Sequence, residues 1–189
     1  REAIPEALRG AVLALGNFDG FHQGHQAVVG EAIRWARELG RPAVIATFDP
    51  HPVRLFKPDA PAFRLTTLDQ RQDLFAAAGA DAMLVLHFDR AMAEMSAPDW
   101  IEQVLGHQLG CVGVVTGEDF TFGKGRGGNP QVLREAGARF GLIGRTVGPV
   151  HDDEGVVSSS RIRDALKLGE CETATRLLTR PFAVRGEVQ

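Results

Sequence analysis

The stretch "AVLALGNFDGFHQGHQAVVGEAIRWARELG" (residues 11–40) changes character twice. "AVLALG" (11–16) is an apolar run of strand length with no polar break, and a buried strand is its simplest reading. "NFDGFHQGH" (17–25) then brings an aspartate, two glycines and two histidines into one loop. After it, Val29, Ile33, Ala36 and Leu39 recur at core-facing helical spacing until Gly40 ends the pattern. Strand, polar loop and helix in that order form the opening unit of a parallel sheet.

The unit repeats along the chain. "PAVIATF" (42–48) predicts a second strand, followed by a proline-punctuated loop to about Leu65. Thr67 and Gln70 make a capping box for a helix over "TTLDQRQDLFAAAG". "DAMLVLHF" (81–88) predicts a strand, and Ser96 with Asp99 opens a helix running towards Gly110. "CVGVVTG" (111–117) is the next strand, Asn129 and Pro130 cap a helix to Phe140, and "LIGRTVGPV" reads as a strand leading to the acidic turn "DDEG". The fold class expected is α/β: a Rossmann-like, doubly wound, mainly parallel sheet with helices on both faces. Such sheets bind ligands beyond the carboxyl ends of their strands, where strand order reverses. The informative loops are therefore 16–25, 48–66, 88–96 and 117–129.

Bulk properties narrow the function class. The 189 residues suit one domain with an ample core, and 44% hydrophobic with 24% charged residues is ordinary for a globular protein. A net charge of −3 argues against a broad nucleic-acid surface. Cys111 and Cys171 form no CxxC and read as reduced thiols. No apolar stretch approaches the ~20 residues of a membrane span. "REAIPEALRG" has no signal-peptide apolar region, which gives a cytoplasmic expectation for a chain opening on Arg1.

Asp19, His22 and His25 recur every third residue, which first invites a metal triad. No fourth ligand and no HExxH pattern accompany them. A phosphate cradle explains more residues: Gly16 and Gly20 permit close backbone approach, and the loop delivers N–H groups to a helix N-terminus. Two histidines on its first turn then donate to phosphate oxygens. The loop is neither a Walker A nor a GxGxxG motif. "GNFDGFHQGH" resembles the HxGH signature of the nucleotidyltransferase superfamily, whose members join a nucleotide to a phosphate acceptor and release pyrophosphate.

A second segment, "VVSSSRIRDAL" (156–166), reads as a helix N-terminus with Ile162, Ala165 and Leu166 facing the core. Three hydroxyls with Arg161 and Arg163 at one helix start form a second phosphate site, which a mere cap does not require. The segment resembles the SSTxIR motif that pairs with HxGH, with Ser160 in the threonine position. Two phosphate loops about 140 residues apart can close on one triphosphate.

Between them, Phe48, Phe120 and Phe122 read either as stacking surface for a planar ligand or as loop anchors. Lys124 and Arg126 read as solvated, and the glycines from Gly123 to Gly128 as a mobile flap. "HDDEG" (151–155) is read as a turn rather than a Mg²⁺ site, and His51 and His87 as structural or solvated. "TFDPHP", "LTTLDQR", "GEDFTFGKGRGG", "VSSSRIRDAL" and "RPFAVRGEV" look like the FMN adenylyltransferase module of bacterial bifunctional riboflavin kinase/FAD synthetases, in the family's order over nearly the whole chain. One departure is Thr121, where the family's D-F-x-F-G commonly has arginine.

The resemblance implies an enzyme that transfers AMP from Mg-ATP to FMN, giving FAD and pyrophosphate. It implies catalytic His22, His25, Ser159 and Arg163. ATP would be held by Gly16, Asn17, Phe18, Asp19, Gly24, Ser158 and Ser160, with Asp19 orienting the loop or a histidine. The flavin side would be Phe48, Asp49, Pro50, Asp119, Phe120, Phe122, Gly123 and Arg126. Mg²⁺ would be held mainly by the triphosphate, with no protein metal site. The adenylyltransferase domain is expected over 1–180, with 181–189 as a stub leading to a riboflavin kinase domain in the full-length protein. This chain is accordingly expected not to phosphorylate riboflavin. ATP and FMN are the expected partners, with neither nucleic acid nor membrane. The alternatives are another acceptor, 4′-phosphopantetheine or nicotinate mononucleotide, and a non-catalytic flavin or nucleotide sensor.

Overall fold

A computed structural model describes residues 4–59 and 64–186. The middle of the 48–66 loop and the last residues of "RPFAVRGEV" thus lie outside the described residues. Five strands, β1 (Val12–Leu15), β2 (Ala43–Asp49), β3 (Ala82–His87), β4 (Gly113–Gly117) and β5 (Ile143–Val147), form one sheet in the order β3-β2-β1-β4-β5. All its neighbours are parallel; Val12 pairs with Ala43 on one side and with Gly113 on the other. The central β1 is buried on both faces, as its unbroken apolar run predicts.

Side chains alternate along β1 and so divide the core. Val12 and Ala14 face α1 (Gln23–Leu39), packing with Val29, Ile33, Trp35 and Ala36, and with Phe75 from a helix introduced below. Leu13 and Leu15 face the opposite layer with Trp100, Ile101, Leu105 and Leu133. Leu39 departs from the helical expectation: it is 47% exposed, at the last position of α1 before the C-cap Gly40.

After β2 comes the short α2 (Pro52–Phe56), then α3 (Leu68–Ala78), which carries Phe75 and opens with the complete Thr67–Gln70 capping box. α4 (Arg90–Glu94) follows β3. Ser96 caps α5 (Ala97–Trp100), which widens into π turns over 101–108, a local departure from the α-helix expected there. Asn129 caps α6 (Pro130–Gly137) through the amides of Gln131 and Val132.

The "DDEG" turn joins β6 (His151–Asp152) to β7 (Gly155–Val156) in a small antiparallel hairpin. α7 (Ser159–Leu168) and α8 (Cys171–Leu178) then close a third, smaller core of Leu65, Val157, Ile162, Ala165, Ala174, Leu177 and Leu178. Cys111 is buried and Cys171 exposed, and both are free; burial pushes the Cys111 thiol up to about 12. Among the described residues no helix is long and apolar enough to cross a membrane.

Candidate active site

Strand order reverses between β1 and β4, and a cleft of about 1100 Å³ opens at the carboxyl ends of the strands. The loops after all five strands contribute to its lining, together with residues 156–159 and Arg163.

The loop after β1 forms one end. Phe18 and Phe21 both adopt left-handed φ, 49° and 45°, which is uncommon for bulky residues and requires external support. That support is extensive. The Asp19 carboxylate accepts from the amides of Leu65 and Thr66 and from the Thr66 hydroxyl, at 2.9–3.2 Å. Thr66 Oγ1 also accepts from the Gly20 amide. From the far end of the chain, Arg180 donates to the carbonyls of Gly20 (2.7 Å) and Phe21 (3.2 Å). Gln26 donates to Phe21, to Leu178 and to Thr179, which fastens the loop to the end of α8.

This brace sets the two histidines. His22 is the N-cap of α1; its Nδ1 accepts from the His25 amide at 3.4 Å, which leaves the proton of a neutral ring on Nε2. The His25 ring stacks on it, centroids 3.6 Å apart, and Phe18 packs edge-on against His25 at 5.4 Å. Nδ1 of His25 is buried without a partner. Gly24 keeps this stack open, since a Cβ there would meet the His22 ring at 3.1 Å. Burial, and then the Arg163 charge, push the His22 imidazole down to about 4, against the opposing pull of Asp19 and Asp119. Burial first, then His22, Arg163 and Arg71, hold His25 well below its ordinary value. Both rings are therefore neutral hydrogen-bonding groups at neutral pH.

The downstream segment meets this loop directly. Ser159 donates to the Asp19 carbonyl at 2.8 Å, and Arg163 pairs with the Asp19 carboxylate at 2.7 Å. Ser158 is the N-cap of α7. The cluster thus unites Gly16, Asn17, Phe18, Asp19, His22, Gly24, His25, Ser158, Ser159 and Arg163 at one end of the cleft. Ser160 is exposed and outside the lining. Arg161 also turns away, donating to Asp152, Glu154 and the hairpin carbonyls of Gly155 and Val156. Arg176 joins the same acidic pair, so Arg161 anchors the hairpin instead of facing the cleft.

The other end is apolar and aromatic. Phe48 lies edge-on to Phe88 at 5.8 Å, and Phe120 stacks on Phe122, which leans on Trp100. Phe48 and Phe122 are buried anchors that also line the cleft. Asp119, Gly123 and Arg126 line it too, with exposed Thr121 beside them. Gly123 has a φ of 72° and lies so close to the Ala97 backbone that a Cβ would sit 2.8 Å away. Lys124 is exposed and paired with Glu94. Asp49 and Pro50 are not in the lining: the strand alternates, and Asp49 points to Arg64 at 2.6 Å. The Asp49–Pro50 peptide is cis.

Further residues join this site, among them His51, which the sequence reads as structural or solvated, and Phe56, Phe88, Thr47 and Arg71, which it does not single out as site residues. His51, the N-cap of α2, lines the cleft, as do Phe56 and Phe88. Thr47 and Arg71 both donate to the Asn17 carbonyl beneath the loop, at 2.9 and 3.0 Å. Thr67 and Gln70 gave a local capping signal, but nothing local marks Arg71 one residue further on.

The profile of one family, FAD synthetase, matches residues 4–161. The chain belongs to the FAD synthetase family. Relatives of this FAD synthetase chain include the bifunctional riboflavin kinase/FMN adenylyltransferases of Pseudomonas fluorescens, 36% identical over 95% of the chain, and Escherichia coli K12, 34% identical over 95%. The chain spans 58% and 57% of their lengths. A putative bifunctional riboflavin kinase/FMN adenylyltransferase of Geobacillus thermodenitrificans is 38% identical, with 93% of each chain covered. Among solved structures, one described as the macrolide-efflux protein of Streptococcus pneumoniae superposes with a TM-score of 0.83 at 28% identity, over 92% of this chain and 66% of that one. Pantothenate synthetase from Thermus thermophilus shares the fold, with a TM-score of 0.52 at 19% identity over 90% of this chain and 66% of its own.

Proposed function

We propose that the chain catalyses transfer of AMP from Mg-ATP to FMN, forming FAD and pyrophosphate. The observation that carries this reading is the meeting of His22 and His25 with Ser159 and Arg163 at one end of a cleft whose other end is aromatic. The first end suits a triphosphate, offering neutral N–H donors, a helix N-terminus and a guanidinium. The second suits a flat conjugated ring.

A phosphate oxygen of FMN attacks the α-phosphorus in line; the bond from that phosphorus to the bridging oxygen breaks, and pyrophosphate departs. The attacking oxygen is already anionic, so neither a strong base nor a covalent enzyme intermediate is required. The work of the protein is alignment and stabilisation of charge building at the α- and bridging oxygens. His22, donating through Nε2, and His25 are assigned to those oxygens, Ser158, Ser159 and Arg163 to the β- and γ-phosphates. Mg²⁺ enters with ATP as part of the substrate. Phe48, Phe120 and Phe122 flank the flavin, and this aromatic wall favours FMN over 4′-phosphopantetheine, which has no ring to stack.

The test supplies Mg-ATP with FMN, 4′-phosphopantetheine or nicotinate mononucleotide in turn and follows pyrophosphate and the adenylylated product. FAD formation is expected with FMN alone. Nucleotide binding without any product would support a sensor and sink this reading.

A further inference from the structure

Arg71 is a buried cation that the mechanism above does not use. It sits on α3 with 2% of its surface exposed, donating through one terminal nitrogen to the Asn17 carbonyl at 3.0 Å and to Thr47 Oγ1 at 2.9 Å. Its Nε has no partner. Among the described residues no carboxylate comes within ion-pair distance of it. Asp19 and Asp49 are near enough to act on it electrostatically, yet each is already bound to another arginine, Asp19 to Arg163 and Asp49 to Arg64.

Burying a guanidinium is costly unless something compensates it. Hydrogen bonding does not supply the reason, because the Asn17 carbonyl already accepts from the Thr47 hydroxyl at 2.9 Å. Removing Arg71 would orphan neither group. Its location supplies a better reason: Asn17 lines the cleft, so the guanidinium lies one layer behind the wall at the histidine end. Its charge is felt by His25 and His51, both in the lining. Three guanidinium groups, Arg71, Arg163 and Arg64, thus face two carboxylates, Asp19 and Asp49, while both histidines stay neutral, leaving one excess positive charge beneath the cleft floor.

We propose that Arg71 is a buried counter-charge for the polyphosphate, an electrostatic positioning residue compensated only when the anionic nucleotide is bound. This deepens the reading of the histidine end as a triphosphate site and rests on it. A purely structural Arg71 and a counter-charge predict opposite things of an uncharged replacement. Replacing a buried ion by a well-fitting apolar chain is often neutral or stabilising. Loss of the counter-charge weakens anion binding whatever happens to stability.

The experiment compares R71M, R71K and the parent by thermal unfolding and by calorimetric binding of ATP without FMN, so that turnover is not the readout. R71M is expected to unfold at the same temperature as the parent or higher while binding ATP about tenfold more weakly and with a shallower salt dependence. R71K, which retains the charge, is expected to recover most of the affinity. Equal affinity in R71M and the parent would overturn the proposal, as would a loss in R71K as large as in R71M. If R71M does not fold, R71Q is compared with R71K per folded molecule, and equal affinities overturn it. Failure of every uncharged variant to fold overturns it too, since the fold itself would then need the charge. A parent that binds no ATP overturns the reading of the cleft instead, which separates the two failures.

Discussion

Asp19 and Arg163, 144 residues apart in the chain, meet at 2.7 Å through a carboxylate that is only 4% exposed. The same carboxylate holds the amides of Leu65 and Thr66, so one side chain ties three separate segments together. Replacing Asp19 by Asn removes the charge that pairs with Arg163 and weakens both amide contacts. A fall of about 3 kcal/mol in unfolding free energy is expected, read as a lower urea midpoint at unchanged slope, with a raised KM for ATP. A midpoint equal to the parent's would refute the bracing role.

His25 stacks on His22 and carries the buried, unpartnered Nδ1. His25→Ala is expected to lower the rate of FAD formation by ~10²–10³, the usual loss for one donor to developing charge. Turnover near the parent's would remove His25 from the proposed mechanism.

The depressed imidazoles give a signed pH dependence. A histidine whose folded pKa lies below its unfolded value binds more protons when unfolded, so stability falls as pH drops. For His22, ordinarily at 6.5 and held at about 4 here, the loss begins near the unfolded value and is complete below the folded one. Its full size is roughly 3 kcal/mol. His22→Asn keeps a cap acceptor for α1 but removes this titration. Urea midpoints at pH 7 and pH 4.5 should therefore differ less in the variant than in the parent. Side-chain NMR of the ligand-free protein should show neither ring titrating between pH 6 and 8.

Ser159 and Ser160 are neighbours with different duties. Ser159→Ala loses the bond to the Asp19 carbonyl and is expected to cost about 1 kcal/mol of stability together with a measurable part of the turnover. Ser160, exposed and outside the lining, should tolerate alanine within about 0.5 kcal/mol and without loss of rate. Equal effects at the two positions would contradict the assigned geometry.

Local signals carried most of the fold. The apolar run of β1, the Thr67–Gln70 box and the Asn129 cap each act within a few residues, and each stands where the sequence placed it. Site residues were legible where chemistry and local direction agree, as at His22 and His25. Asp49 sits next to Phe48, but strand alternation sends it to the opposite side, towards Arg64. Arg161 and Arg163 share one helix turn, yet two residues of rotation send Arg161 to the acidic hairpin and Arg163 to Asp19. Arg71, Thr47 and Arg180 were hidden for another reason: the partners that tie them to the site loop and to each other lie between 24 and 160 residues away in sequence.

The clasp of Arg180 on Gly20 and Phe21 has a consequence for how the protein is made. Strands β1 and β2 can pair as soon as the first third of the chain has left the ribosome. The histidine loop, with two residues in left-handed backbone, must wait for a guanidinium that emerges some 160 residues later. All five strands therefore leave the ribosome before the residue that clasps the histidine loop.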